Sequence, residues 1–175
     1  EGNDLAGVLT LRGLSDAAMI KEALDTQGVK NIIFIGAGFI SMEIASLLKQ
    51  MGTIDANISV IELMDHPLPL MLDKEMGDTV TVYLEEKGLN ILTGEKVDKI
   101  VGRSGKVVGV KLASGRSLAA DIVFMNVGVR PNVELAQEIG LEMGQFGIKV
   151  NEFQETSHPD ILAGGDCVEK YNFIT

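Results

Sequence analysis

The sequence predicts an α/β fold: a mainly parallel sheet with helices on both faces and a small antiparallel meander set into it. Three observations carry this. Residues 32–35, 58–61, 89–92 and 121–127 are short, nearly continuous apolar runs, the pattern of strands buried on both faces. Segments with apolar residues every three or four positions separate the first three runs, as connecting helices do. Between about residues 95 and 120 the pattern changes to short strand candidates at 97–101, 107–112 and 117–119. These are split by R-S-G-K and A-S-G-R, turn sequences suited to hairpins.

Composition bounds the function. With 175 residues, 46% hydrophobic and 23% charged, the chain is sized for about one domain with a buried core. The formal net charge of −10 argues against a nucleic-acid partner. No apolar run reaches membrane-spanning length and no signal-peptide pattern opens the sequence. A single cysteine, Cys167, leaves no internal disulfide to form, which makes a reducing cytoplasm the expected setting.

In chain order, residues 1–13 carry turn residues and one short strand candidate at 8–11. Ser15 or Asp16 can cap a helix over 17–26, with Met19, Ile20 and Leu24 on its apolar side and Gly28 past its end. The run 32–35 stops at G-A-G-F-I-S. Gly36 permits a tight turn, Gly38 has no side chain to block a close approach to the backbone, and Ser41 stands where a third glycine usually lets helix and strand pack. Ile40, Ile44, Leu47, Leu48 and Met51 give the following helix an apolar face. The strand 58–61 then ends at Glu62, twenty-one residues after Ser41. Strand, glycine turn, helix, strand and acid at this spacing form the Rossmann-like βαβ unit that binds a dinucleotide. Helix N–H groups hold the pyrophosphate and the acid accepts from ribose hydroxyls.

L-M-D-H-P-L-P-L-M-L-D after Glu62 reads as a loop beside the adenosine half of such a ligand. Within it His66 reads as a solvated residue. Asp73 caps a helix to Lys87 that offers Met76, Val80, Val82, Tyr83 and Leu84 for burial. After the meander and the run 121–127 come Gly128 and V-R-P-N, a short helix over 133–139 and a strand candidate at 148–150. A last apolar run, D-I-L-A-G-G-D-C, follows.

These motifs together — G-A-G-F-I-S-M-E, V-I-E, D-I-V-F-M-N-V-G-V-R-P-N and T-S-H-P-D-I-L-A-G-G-D — resemble the nicotinamide-binding domain of the FAD-dependent pyridine nucleotide–disulfide oxidoreductases. L-T-L-R-G-L-S-D-A and E-L-M-D-H-P-L-P-L-M-L-D-K-E-M look like the NADH oxidase, NADH peroxidase and CoA-disulfide reductase branch, with features shared by nitrite and rubredoxin reductases. The resemblance implies a middle piece of a longer flavoprotein. Residues 1–29 would lead from a flavin domain, 30–127 would bind NAD(H), and 128–175 would return to the flavin domain. A homodimer would form through a region outside this sequence.

By position, the resemblance implies that Gly36, Gly38, Phe39, Ile40 and Ser41 hold the pyrophosphate. Glu43 would face the nicotinamide, or simply sit as a carboxylate near a helix N-terminus. Met71 falls where relatives place a tyrosine near the cofactor, and Gly128 would let the nicotinamide lie against the backbone. Gly165 and Asp166 match the G-G-D whose acid bonds the ribitol of FAD, while Cys167 reads as an inert thiol. The implied chemistry is hydride transfer from NADH to FAD, with the protein positioning cofactors that do the organic work. A non-catalytic NAD(H)-binding sensor is the alternative, and a methyltransferase, which also pairs a glycine turn with an acid, is a third reading.

Overall fold

Alternation along the strands decides the layering. In a strand, successive side chains point to opposite faces. In β2 (Asn31–Ile35) Ile32 and Phe34 join one core cluster and Ile33 the other. β3 (Asn57–Ile61) divides Ile58 and Val60 from Ile61, and β8 (Ile122–Met125) divides Ile122 and Phe124 from Val123. Each strand is therefore apolar throughout because it serves two cores. The structure, a computed structural model, describes residues 1–26, 28–52 and 54–170; the last five residues of the predicted returning segment lie outside them.

The described chain divides into two units, Glu1–Gly128 and Val129 onward. The first holds a parallel sheet in the order β1-β8-β2-β3-β4, with β1 at Val8–Leu9 and β4 at Asn90–Leu92. Helices α1 (Leu14–Asp25), α2 (Phe39–Met51) and α3 (Lys74–Glu86) connect β1 to β2, β2 to β3 and β3 to β4. All three crossovers move the same way across the sheet, so a common right-handed connection puts the helices on one face. Their buried residues Ile20, Met42, Ala45, Leu48 and Leu84 share the cluster of Ile32 and Phe34. The opposite face is covered by the antiparallel meander β5 (Val97–Arg103), β6 (Lys106–Leu112) and β7 (Ser117–Ala119), which supplies Ile100, Val107, Val110 and Leu112. Parallel sheet, helices and meander are as predicted. The layering differs from the expected helices on both faces, because the chain from β4 to β8 returns as a meander and not as a helix.

The helices bury faces other than those their large apolar residues predict. α2 buries Ser41, Met42, Ala45 and Leu48, while Leu47 and Met51 are exposed. Small residues at 41 and 45 let the helix backbone approach the sheet, and a count of large apolar residues passes over them. α3 likewise buries Gly77 and Leu84 and leaves Met76, Val82 and Tyr83 exposed. α1 begins at Leu14, not residue 17, with Gly13 as its N-cap. Asp16, inside the first turn, accepts from the backbone N–H groups of Arg12 at 2.7 Å and Gly13 at 3.0 Å. The meander turn succeeds as read: Ser104 and Gly105 have φ of 51° and 77°, the left-handed pair a two-residue hairpin loop requires.

The second unit has its own small core of Ala136, Leu141 and Ile148. Around it lie α4 (Glu134–Glu138) and a parallel pair, β9 (Ile148–Lys149) with β10 (Val168–Glu169). Cys167 is half-buried against this core and its thiol donates to the Gly164 carbonyl at 3.3 Å.

At the centre of the helix-side core the rings of Phe34 and Phe124 stack 4.5 Å apart at 7°, both fully buried. Phe34→Ala should lower unfolding free energy by about 3–5 kcal/mol, since it opens a cavity between two central strands. Chemical denaturation monitored by circular dichroism measures this, and a loss under about 1 kcal/mol would contradict the packing described.

Candidate functional site

β2 ends in the turn Gly36–Ala37–Gly38, at the carboxyl edge of the sheet where open α/β folds bind ligands. Gly36 donates its N–H to the Ile61 carbonyl at 2.8 Å. Its φ of 90° suits glycine, and a Cβ there would lie 2.8 Å from the Asn126 carbonyl oxygen. Gly38 differs. It is the N-cap of α2 at φ −76°, it is exposed, and a Cβ on it would meet no protein atom within 4 Å. The fold needs a glycine at 36; at 38 it does not.

Ala37, between the two glycines, is fully buried and bonded on both sides. Its N–H donates to Glu62 Oε2 at 2.7 Å, and its carbonyl accepts from the Leu68 N–H at 2.9 Å. Glu62 is only 8% exposed. Its Oε1 accepts from the Met64 N–H at 2.9 Å, its own N–H donates to the Leu92 carbonyl at 2.8 Å, and its carbonyl accepts from the Glu95 N–H at 3.0 Å. The acid after β3 thus grips the glycine turn directly. Each carboxylate oxygen keeps further acceptor capacity. The first turn of α2, from Phe39 to Ser41, presents N–H groups that have no carbonyl partner in their own helix.

The remaining expected positions fall as follows. Phe39 is exposed and Ile40 half-buried. Ser41 is fully buried, and its hydroxyl oxygen accepts from Asn126 Nδ2 at 3.3 Å, so its side chain packs against the sheet where a third glycine would. Glu43 is exposed in the second turn of α2, beyond the first turn over which a helix dipole acts. Met71 is exposed on the loop after Glu62. Gly128 is exposed at φ 103°. Gly165, at φ 82°, and Asp166 are exposed in the second unit.

The loop 63–73 is more ordered in its bonding than its prolines suggest. Leu68 adopts φ 55°, a left-handed conformation that costs a non-glycine residue roughly 1–2 kcal/mol. In return its N–H reaches Ala37, and its carbonyl accepts from the N–H groups of Met71 at 2.9 Å and Leu72 at 3.0 Å. His66, expected in solvent, is 8% exposed. Nδ1 lies 2.7 Å from Asp65 Oδ1 and Nε2 3.1 Å from the Leu72 carbonyl oxygen. The hydrogen bond to Asp65, reinforced by the one to Leu72, holds the imidazole pKa above its usual value; the same pairing lowers that of Asp65. A Cβ on Gly77 would lie 2.4 Å from the His66 ring. A glycine inside a helical pattern was the available sign that something packs there. Asp73 caps α3 as expected, accepting from the Met76 N–H at 2.9 Å.

A family model described as pyridine nucleotide-disulphide oxidoreductase matches residues 1–175. The chain is similar to a NADH oxidase of Methanocaldococcus jannaschii, 41% identical over all of this chain and 38% of that protein. It is also similar to a CoA-dependent NAD(P)H sulfur oxidoreductase of Pyrococcus furiosus, 35% identical over all of this chain and 38% of that one. Among solved structures, a NAD-dependent persulfide reductase from A. fulgidus superposes with a TM-score of 0.89 at 42% identity, covering 96% of this chain and 30% of that chain. The chain therefore spans well under half the length of these relatives. No described helix is long and apolar enough to cross a membrane.

The two glycines should separate in a stability measurement. Gly36→Ala should cost at least about 2 kcal/mol, combining a disfavoured φ with a backbone clash. Gly38→Ala should cost less than about 1 kcal/mol, the loss of a fair N-cap. Thermal or denaturant unfolding of both variants tests this, and equal losses would mean that the turn is not shaped as described.

Proposed function

The chain belongs to the pyridine nucleotide-disulphide oxidoreductase family, and from that premise we propose that it is the NAD(H)-binding part of a longer flavoprotein that passes hydride from NADH to FAD. The observation that carries this is the glycine turn with Glu62 closed upon it at the carboxyl edge of the sheet. Gly36 bends the chain back. Gly38 leaves the way clear for a pyrophosphate to reach the N–H groups of Phe39, Ile40 and Ser41, where the helix dipole favours negative charge. Glu62, already fixed by Ala37 and Met64, turns its spare lone pairs to the ribose hydroxyls. Gly128, Glu43 and Met71 are assigned to the nicotinamide half.

When bound, NADH supplies the hydride and FAD accepts it; this chain binds, orients and keeps the pyrophosphate in place. Gly165 and Asp166 would face the ribitol of the flavin. We assign residues 1–29 and 128–175 to the connections with the flavin domain of the same parent chain, and residues 30–127 to the nucleotide. A cytoplasmic homodimer, joined through a further region, is the assembly we propose for the parent. What the reduced flavin then delivers electrons to is decided outside these residues.

NADH should bind more tightly than NADPH, because a 2′-phosphate would meet Glu62 and Asp65 and the residues from Leu63 to His66 include no Arg or Lys. A hydrogen bond to a charged group is worth about 1.5–3 kcal/mol, so Glu62→Ala, which also leaves the buried Ala37 N–H without its acceptor, should weaken NADH binding at least roughly tenfold. NADPH binding should fall less, since the substitution also removes a repulsion. Gly38→Ala should weaken both nucleotides while leaving the fold intact. Isothermal titration calorimetry of the three proteins with each nucleotide decides it, and equal wild-type affinities would remove Glu62 from the ribose. The chain alone, with FAD added, should oxidise NADH negligibly, and robust turnover followed at the NADH absorbance would contradict the proposed division of labour.

A further inference from the structure

Asp65, when ionised, and the Leu72 carbonyl are both acceptors only, and His66 points one ring nitrogen at each. Both nitrogens can bond only if both carry protons, so the pocket is built for the imidazolium. The ring is closed in by α3 at Gly77, the one side-chain-free position that admits it. The bond to Leu72 is the one that spans the loop, from residue 66 to the residue before the N-cap of α3; the bond to Asp65 is to the chain neighbour and orients the ring for it. Between them, Leu68 donates to the Ala37 carbonyl in the glycine turn.

We propose that His66 is a positioning residue, an imidazolium clamp that holds the 63–73 loop against the glycine turn and makes dinucleotide affinity fall as pH rises. This rests on the reading of the turn as an NADH site. Without the second proton the neutral ring keeps its one N–H on Nδ1 for the Asp65 carboxylate, and the bond to the Leu72 carbonyl opens. The loop then loses a tie that keeps Leu68 in its left-handed conformation, and with it the contact to Ala37.

The charged groups around the ring set the direction. Asp65, on the loop itself, favours the cation. Lys74, at the start of α3, opposes it, but its ammonium is taken up by Asp78 at 2.7 Å. The Asp73 carboxylate is engaged by the Met76 N–H, and Gly77 contributes no charge. The net effect raises the histidine pKa in the folded chain. A raised folded value means that the clamp is fully present below the unfolded value near 6.5 and is lost as pH rises through the folded one.

The test is NADH titration of the chain by calorimetry from about pH 6 to about pH 9, a range that spans the histidine transition. The wild-type Kd should rise about fivefold to tenfold across the range as the binding-competent fraction falls. Asp65→Asn should move the midpoint to lower pH, because it removes the first cause of the raised value. His66→Gln should bind more weakly than wild type at low pH and show no pH dependence. His158→Gln, which alters the other histidine of the two, should keep the wild-type profile. A flat wild-type profile, or a rise that survives His66→Gln, would overturn the clamp. Should His66→Gln not fold, the Asp65→Asn midpoint decides alone, and an unmoved midpoint overturns it. The hydrogen-exchange protection factor of the Leu68 amide gives a readout free of ligand, and it should drop with the His66 ring titration followed by NMR. If NADH fails to bind at every pH, the nucleotide reading fails on its own. The Leu68 amide still judges the clamp, and protection that ignores the ring titration refutes it.

Discussion

The carboxylate of Glu62 is the tie on which the site depends. It leaves the end of β3 and takes the N–H of Ala37 from the end of β2. The neighbouring strand, the glycine turn and the first turn of α2 are thereby made one body. A charge-assisted bond of this kind is stronger than a neutral one, and here it lies largely out of solvent. Its second oxygen holds Met64, so the loop that leaves the acid starts from a fixed point. The acid that the sequence marks as a ligand contact is the buckle of the turn itself.

The two cores explain why such a rigid edge is available. Each central strand sends alternate residues into a helix-side cluster and a meander-side cluster, which leaves no exposed face on which the sheet could flex. The packing is graded by size. Stacked phenylalanines fill the middle, and small residues at Ser41 and Ala45 bring α2 close. That closeness aims the first turn of α2, and its N–H groups, at the carboxyl edge of β2.

Much of this was legible in the residues. Continuous apolar runs marked β2, β3 and β8, and Ser104–Gly105 marked the hairpin, because backbone sterics and burial act locally and leave a local trace. The glycine turn and Glu62 were legible for the same reason. The rotation of α2 and α3 was not: it follows from where small residues allow contact, a property of the partner surface. The burial of His66 leaves no local trace, because it depends on Gly77, eleven residues on, and on a loop path set by the left-handed Leu68. The capping of α1 was misplaced because Asp16 serves the turn from inside it. Which layer covers each face was also hidden, since nothing in the meander sequence states that it replaces a helix.

The position of β8 carries a consequence for biosynthesis. β8 lies between β1 and β2 in the sheet, yet it is made about a hundred residues after β1. Until residues 122–125 are made, β1 lacks its one sheet neighbour and β2 lacks one of its two. At a synthesis rate of about 5–20 residues per second, the unpaired edges wait roughly 5–20 seconds on each nascent chain. The order of the sheet thus makes the last strand of the first unit the piece that closes it, and unpaired edges of this kind are where a chain pairs with its neighbours instead.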